Sequence, residues 1–320
     1  MNEFLTIKDK LGRTIAYQNN FSYKTLYRID GGQVLEFEKA RKKASLRERK
    51  NIKDLKPEEE ELLKTAVEKA VSSGEYAKLA TFHSQYMFDI HSFIRANQRF
   101  LPWHRVYLVK FEEMLNEVMK QETGEDHNIA VPYWNWAVDR DIPKLFQDPV
   151  FTPTFDLDVY VWSQPGFPPV LGTYNIKVKR FPGTDPDVPE LPTQQDIDLA
   201  KSETVFPRFS LTLEGRPHGR VHVWIGGVNP DPDPNNIFDS VGAMGDPHIS
   251  PCDPIFYLHH ANLDRIWAGW QKKLEEQGNT SNIYPDLDEE ESKMHPWWPE
   301  YTELETRQIE IMGYTYDNYD

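Results

Sequence analysis

The chain of 320 residues holds one cysteine, Cys252, so no disulfide can form within it. That fits a reducing compartment. No run of about 18 apolar residues occurs, so no segment reads as a membrane-spanning helix. The start, Met1-Asn2-Glu3-Phe4-Leu5, lacks the positive segment and apolar core of a secretion signal. A soluble, cytoplasmic chain is the expectation. Basic residues are also short, with 36 Lys and Arg against 51 Asp and Glu, a formal charge of −15. Such a surface repels nucleic acid and anionic membrane, so neither is an expected partner. Hydrophobic residues are lean at 39%, and the 13% aromatic share supplies the large side chains that a core of this size needs.

What the chain does carry is clustered histidine. His218 and His222 lie four apart in Arg216-Pro217-His218-Gly219-Arg220-Val221-His222-Val223-Trp224. On a helix, such residues share a face, so both imidazoles can address one ion. Pairs like this also occur on ordinary helix faces, and the spacing alone leaves metal binding open. A second group follows, Asp253-Pro254-Ile255-Phe256-Tyr257-Leu258-His259-His260-Ala261-Asn262-Leu263-Asp264-Arg265. Neighbours on a helix point about 100° apart, so only one of His259 and His260 faces a given ion. The first half holds a matching set, His83, His91 and His104. Two three-histidine groups suggest two adjacent metal ions. Imidazole suits copper, zinc, iron and nickel, so the ligands leave the metal undecided.

The apolar spacing places these groups on helices. Pro57 and the acids Glu58 to Glu61 read as a helix start, and Ser72-Ser73-Gly74 as its end. A second helix from about Glu75 carries His83, and a third runs from Pro102 to about Gln121, stopped by Gly124. His218 to Ile225 is a short helix ended by Gly226-Gly227, and Asp253 to about Gln277 a long one ended by Gly278. Residues 1–35 predict a short strand or two, and the charged run 36–53 a solvated helix face. Residues 140–210, rich in proline, read as a long irregular excursion. Asn229-Pro230-Asp231-Pro232 is loop.

In Phe100-Leu101-Pro102-Trp103-His104-Arg105, with Glu112 eight residues after His104, and in Asp253-Pro254-x-Phe256…His259-His260-x-x-x-Asp264, the sequence resembles the type 3 copper family. That family comprises tyrosinases, catechol oxidases and the oxygen-binding units of molluscan hemocyanins. The two segments resemble its copper A and copper B signatures. The resemblance runs from about residue 49 to the tyrosine motif Gly313-Tyr314-Thr315-Tyr316. It implies a mainly α fold, a four-helix bundle holding a dinuclear copper centre, with long irregular loops and a few short strands. It implies one catalytic domain over residues 1–320, with a copper A half at about 75–125, a copper B half at about 210–277, and no C-terminal shielding domain.

The ligands implied are His83, His91 and His104 for one copper and His218, His222 and His260 for the other, with His259 as a core or supporting histidine. In most relatives the middle copper A ligand lies nine residues before the third. Here that residue is Arg95, whose guanidinium stays protonated and cannot bind. His91 lies thirteen before, and its eight-residue spacing from His83 resembles some short fungal catechol oxidases. Along a continuous helix His83 and His91 would stand about 12 Å apart. The helix must therefore end before His91 and the chain turn back; the alternative is a copper A site of two histidines, or an empty one. Asp264 stands one turn after His260, where it can orient local groups. Phe256, one turn before His260, can hold that ring's rotamer. Pro247 and His248 lie where relatives narrow the way to the copper pair. Some relatives link a cysteine just before the middle ligand to a copper A histidine; this chain has none there.

The reaction implied is oxidation of o-diphenols, and of o-aminophenols too, by dioxygen. True tyrosinases also hydroxylate monophenols. Glu214 matches a glutamate that in plant-type relatives holds a water to take the phenol proton; Gly219 stands where its asparagine helper often lies. The sequence therefore predicts weak or absent hydroxylation. The rivals are a full tyrosinase, a hemocyanin-like oxygen carrier and a dizinc hydrolase. Dizinc sites usually include carboxylate ligands, which neither motif supplies. A helper protein that delivers copper is a further partner the family allows.

Overall fold

The computed structural model describes residues 4–8, 14–20, 23–30, 33–39, 46–91, 98–161, 168–279 and 282–320. Helix α1, Pro57–Ser72, opens with proline, and the Glu59 carboxylate accepts the Lys56 N–H at 2.9 Å. Gly74, at φ 80°, takes the left-handed turn that glycine adopts without strain, and the chain re-enters helix as α2, Glu75–Ile90. Helix α3, Phe100–Thr123, ends at Gly124 by the same device, with φ 77°. The short helices α4, Gln194–Lys201, α5, Phe206–Leu213, and α6, Gly219–Gly226, precede α7, Ile255–Glu276. From Ile255 to Leu263 every residue of α7 is buried, so this helix is encased rather than amphipathic there. Phe111 of α3 stacks on Tyr257 of α7 with ring centroids 3.6 Å apart. Trp103, Tyr107 and Trp267 fill the same core. The fold is mainly α, and α2, α3, α6 and α7 bring the histidines together.

Three expectations are corrected. The N-terminal segment is an antiparallel meander of four strands, β1 Phe4–Lys8, β2 Thr14–Asn20, β3 Tyr23–Asp30 and β4 Gln33–Lys39, not a strand or two. Among its described residues, the run 36–53 forms no α-helix. It ends β4, and it contains β5, Arg47–Arg49, which pairs in parallel with β8, Tyr314–Tyr316. Residues 140–210 hold α4, α5 and a hairpin of β6, Thr154–Val161, and β7, Val170–Lys177. The hairpin lies on α2, where Tyr160 N–H donates to Ser84 Oγ at 3.1 Å and Thr81 Oγ to Asp158 O at 2.9 Å. A signal for it existed. Leu157 and Val159 are buried and alternate with Asp156 and Asp158, the period of a half-buried strand.

The buried charges explain why 47–49 is a strand. Arg49 is wholly buried and donates to Glu112 at 2.7 Å and to Asp264 at 3.1 Å. Arg47 donates to the other oxygen of Glu112 at 3.1 Å. Arg105 donates to Asp264 at 2.5 Å, and Tyr314 and Tyr316 each donate to it at 2.7 Å. Charges that look like a solvated surface in sequence thus neutralise one another inside, where each guanidinium has a carboxylate partner. The cluster joins α3 to α7 beside the histidines, since Arg105 adjoins His104 and Asp264 is one turn from His260. Asp264 therefore orients arginines and tyrosines at the helix interface, not an imidazole.

Candidate metal centre

Each histidine reaches the site by its own local device. His83 is on the buried face of α2. His91 is the residue after the last turn of α2, at φ −113°, so the helix ends immediately before it. Its ring swings back until its Nε2 stands 3.4 Å from Nε2 of His83. His104 projects from α3. His218 closes a wide π turn, Glu214–His218, forced where Pro217 lacks an N–H. His222 follows one turn on in α6, and His260 comes from α7. Its Nε2 lies 3.4 Å from Nε2 of His222.

The outer nitrogens of five of the six are tethered. Nδ1 of His83 donates to Pro247 O at 3.0 Å, that of His104 to Phe100 O at 2.8 Å, that of His218 to Glu214 O at 3.0 Å and that of His222 to Met244 O at 2.9 Å. Nδ1 of His91 lies 2.8 Å from Oε1 of Glu214. A ring that donates through Nδ1 presents its Nε2 lone pair, the tautomer that a metal takes. Burial drives the imidazoles of His83, His104, His218 and His260 well below their ordinary pKa, and that of His222 down to about 4. They are neutral near pH 7, as ligands must be.

These residues fit a metal pair. Nε2 of His104 and of His218 are buried without a hydrogen-bond partner, a state that calls for an occupant. Two acceptor nitrogens 3.4 Å apart repel unless something bridges them. Two nitrogens each ~2.0 Å from one ion and ~115° apart would lie ~3.4 Å from one another. One group is His83, His91 and His104; the other is His218, His222, His259 and His260. The groups adjoin, with the His104 and His260 rings stacked at 4.1 Å. Among the described residues no carboxylate joins either group, and an all-imidazole set suits copper.

Glu214 holds a role that the sequence did not foretell, and His259 is a core histidine as expected. Glu214 tethers His91 across 123 positions of chain. His259 is fully buried, stacks on His218 at 5.3 Å, and has both ring nitrogens without a hydrogen-bond partner. It belongs to the second histidine group by position, with its ring 5.0 Å from that of His260 at 66°. Phe256 lies over His260 at 4.1 Å and edge-on to His83 at 5.3 Å, so one ring braces both groups. A cavity of about 520 Å³ reaches His83, His91, His218 and His222 and is walled by Met87, Phe88, Val223, Met244 and Pro247, with Glu214 and Gly219 on its edge. His248 is not among its lining residues and pairs with Asp246 at 2.9 Å. Cys252 is buried and free.

Comparison with known proteins agrees with this geometry. Residues 73–273 match the family described as the common central domain of tyrosinase. A tyrosinase of Streptomyces glaucescens is 32% identical over 277 residues, covering 78% of this chain and 92% of its own. A functional unit of octopus hemocyanin superposes with a TM-score of 0.58 at 23% identity, over 85% of this chain and 68% of its own. Grenache (Vitis vinifera) polyphenol oxidase does so with a TM-score of 0.55 at 20% identity, over 90% of each chain. No helix among the described residues is long and apolar enough to cross a membrane. The matched span contains every histidine of both groups, and the chain belongs to the tyrosinase family of dinuclear copper proteins.

Proposed function

We propose that this protein oxidises o-diphenols to o-quinones with dioxygen and hydroxylates monophenols weakly or not at all. The observation that carries the proposal is the cavity that opens onto four of the six histidines, of a size that suits a small aromatic molecule. His83, His91 and His104 would hold one copper and His218, His222 and His260 the other. When bound, the pair supplies the place where dioxygen is reduced and two electrons leave each diphenol. Two diphenols then account for one dioxygen, which departs as two waters. The protein's own share is positioning. Met87, Phe88, Val223 and Met244 give the ring an apolar slot, and Phe256 keeps the imidazoles from rotating.

Glu214 is the acid–base group of the slot. It would take the phenol proton, directly or through a water, but Oε1 is already engaged by His91. An oxygen that already accepts the imidazole N–H has one lone pair fewer for a water or a phenol. Hydroxylation begins with removal of that proton, so this engagement favours the diphenol reaction. At Gly219 a Cβ would meet only Glu214 O, at 3.9 Å, so a side chain fits there. Gly219→Asn is expected to raise the ratio of monophenol to diphenol turnover several-fold by giving the water another hydrogen bond. An unchanged ratio would show that the water, if present, is held otherwise.

The deciding experiment compares the copper-loaded protein on matched substrates, catechol against phenol and dopamine against tyramine, by oxygen uptake. Fast catechol oxidation with slow phenol turnover supports the proposal. Equal rates make the protein a full tyrosinase, and reversible oxygen binding without quinone makes it a carrier. The ligand assignment on α7 is checked by copper content. His259→Gln should keep two ions per chain, whereas His260→Gln should lose one; the reverse result would exchange their roles.

A further inference from the structure

One short segment holds a histidine of each triad. Met244 O accepts from His222 Nδ1 at 2.9 Å, and Pro247 O, three residues on, accepts from His83 Nδ1 at 3.0 Å. The intervening Gly245 is pressed against the last residue of α6. A Cβ on Gly226 would stand 2.4 Å from Gly245 N and 2.5 Å from Gly245 Cα, closer than any side chain permits. Gly242 N donates to Gly226 O at 3.0 Å, and a Cβ on Gly242 would fall 2.4 Å from Lys179 O. Ala243 N donates to that same Lys179 carbonyl at 3.1 Å, and the Ala243 and Met244 side chains are buried. Three glycines thus let two backbones touch without side chains between them.

We infer that the strap Gly242–Pro247, seated on α6 through the Gly226–Gly245 contact, is a positioning element that aligns the two copper sites with one another. The inference rests on the reading of the two triads as copper ligands. His222 is carried by α6 and His83 by α2, and the strap gives both rings their orientation from one rigid piece. The Gly226 contact acts only on the strap and the end of α6, yet its effect reaches His83 on another helix. A Cβ at Gly226 displaces the strap by about 1 Å before ordinary contact returns, and metal constellations tolerate only about 0.5 Å. Met244 and Pro247 also wall the cavity, so the same piece places the substrate slot over the metals.

The test isolates the triad that α6 does not carry. In a His222→Ala/His260→Ala background, copper(I) affinity is measured by competition with a colorimetric chelator, and folding by circular dichroism. Binding of one ion by this background checks the ligand reading itself; no binding would refute that reading, and the inference with it. Adding Gly226→Ala is then expected to lower the affinity of the His83, His91 and His104 site at least about tenfold, the scale of lost outer-layer support. Damage confined to α6 would leave that affinity unchanged. Should Gly226→Ala fail to fold, Asp246→Ala decides. The Asp246 carboxylate accepts from His248 N at 2.9 Å and pins the Pro247 end from a partly exposed position. It is expected to weaken the same site. A folded Gly226→Ala, or failing that Asp246→Ala, that binds copper as its background does overturns the inference.

Discussion

His91→Ala is expected to cut copper content from two ions per chain to one and to slow diphenol oxidation by more than about 100-fold, beyond the usual effect of losing an outer-layer partner. His91 is partly exposed, at 18% of its side chain, and stands at a helix end, so its removal leaves the core intact. His83 and His104 remain, but two imidazoles hold an ion far less firmly than three. A chain that still bound two coppers and oxidised catechol normally would show that the first site is a two-histidine site. Glu214 loses its partner in the same variant. Glu214→Gln, which keeps a hydrogen-bonding side chain there, separates the two effects, for it should retain both ions.

The second large effect concerns folding. Asp264→Ala is expected to destabilise the protein by about 3–5 kcal/mol, because two buried guanidiniums lose a shared carboxylate. Arg49 keeps Glu112, whereas Arg105 is left with neutral acceptors, Thr306 O and Gln271. Thermal unfolding of the copper-free protein measures this directly; a shift of under a degree would refute it. The acid limb gives an independent check. Burial by itself would raise the Asp264 carboxyl, but Arg105 and Arg49, with the hydroxyls of Tyr314 and Tyr316, outweigh it and hold it below the ordinary carboxylate value. A depressed folded value stabilises above the unfolded pKa and is lost as pH falls through the folded one. The wild type should therefore lose this contribution only below about pH 4, and the variant should lack that part of its acid dependence.

The same residues show what was readable beforehand. The helices that carry His83, His104, His222 and His260 were legible because proline, acids and glycine mark their ends. The charged run 36–53 misled because sequence shows charge but not its partners. Glu112 and Asp264 lie 63 and 215 residues from Arg49, and only their meeting makes a buried strand of Arg47–Arg49. The hairpin at 154–177 was hidden among prolines, although its alternation was present. Asp264 was placed correctly along α7, but its partners were not foreseeable.

By itself, the order of residues determined the family, the helices that carry the histidines and a set of candidate ligands, since these depend on local spacing and on motifs of a few residues. Only the tertiary structure decided that α2 stops at Ile90 so that His91 can turn toward His83, that Glu214 holds His91, and that one strap tethers both triads. The last two are contacts between segments far apart in the chain. Such contacts are selected by packing of the whole, where close approach of glycines and the pairing of buried charge count for more than any local preference.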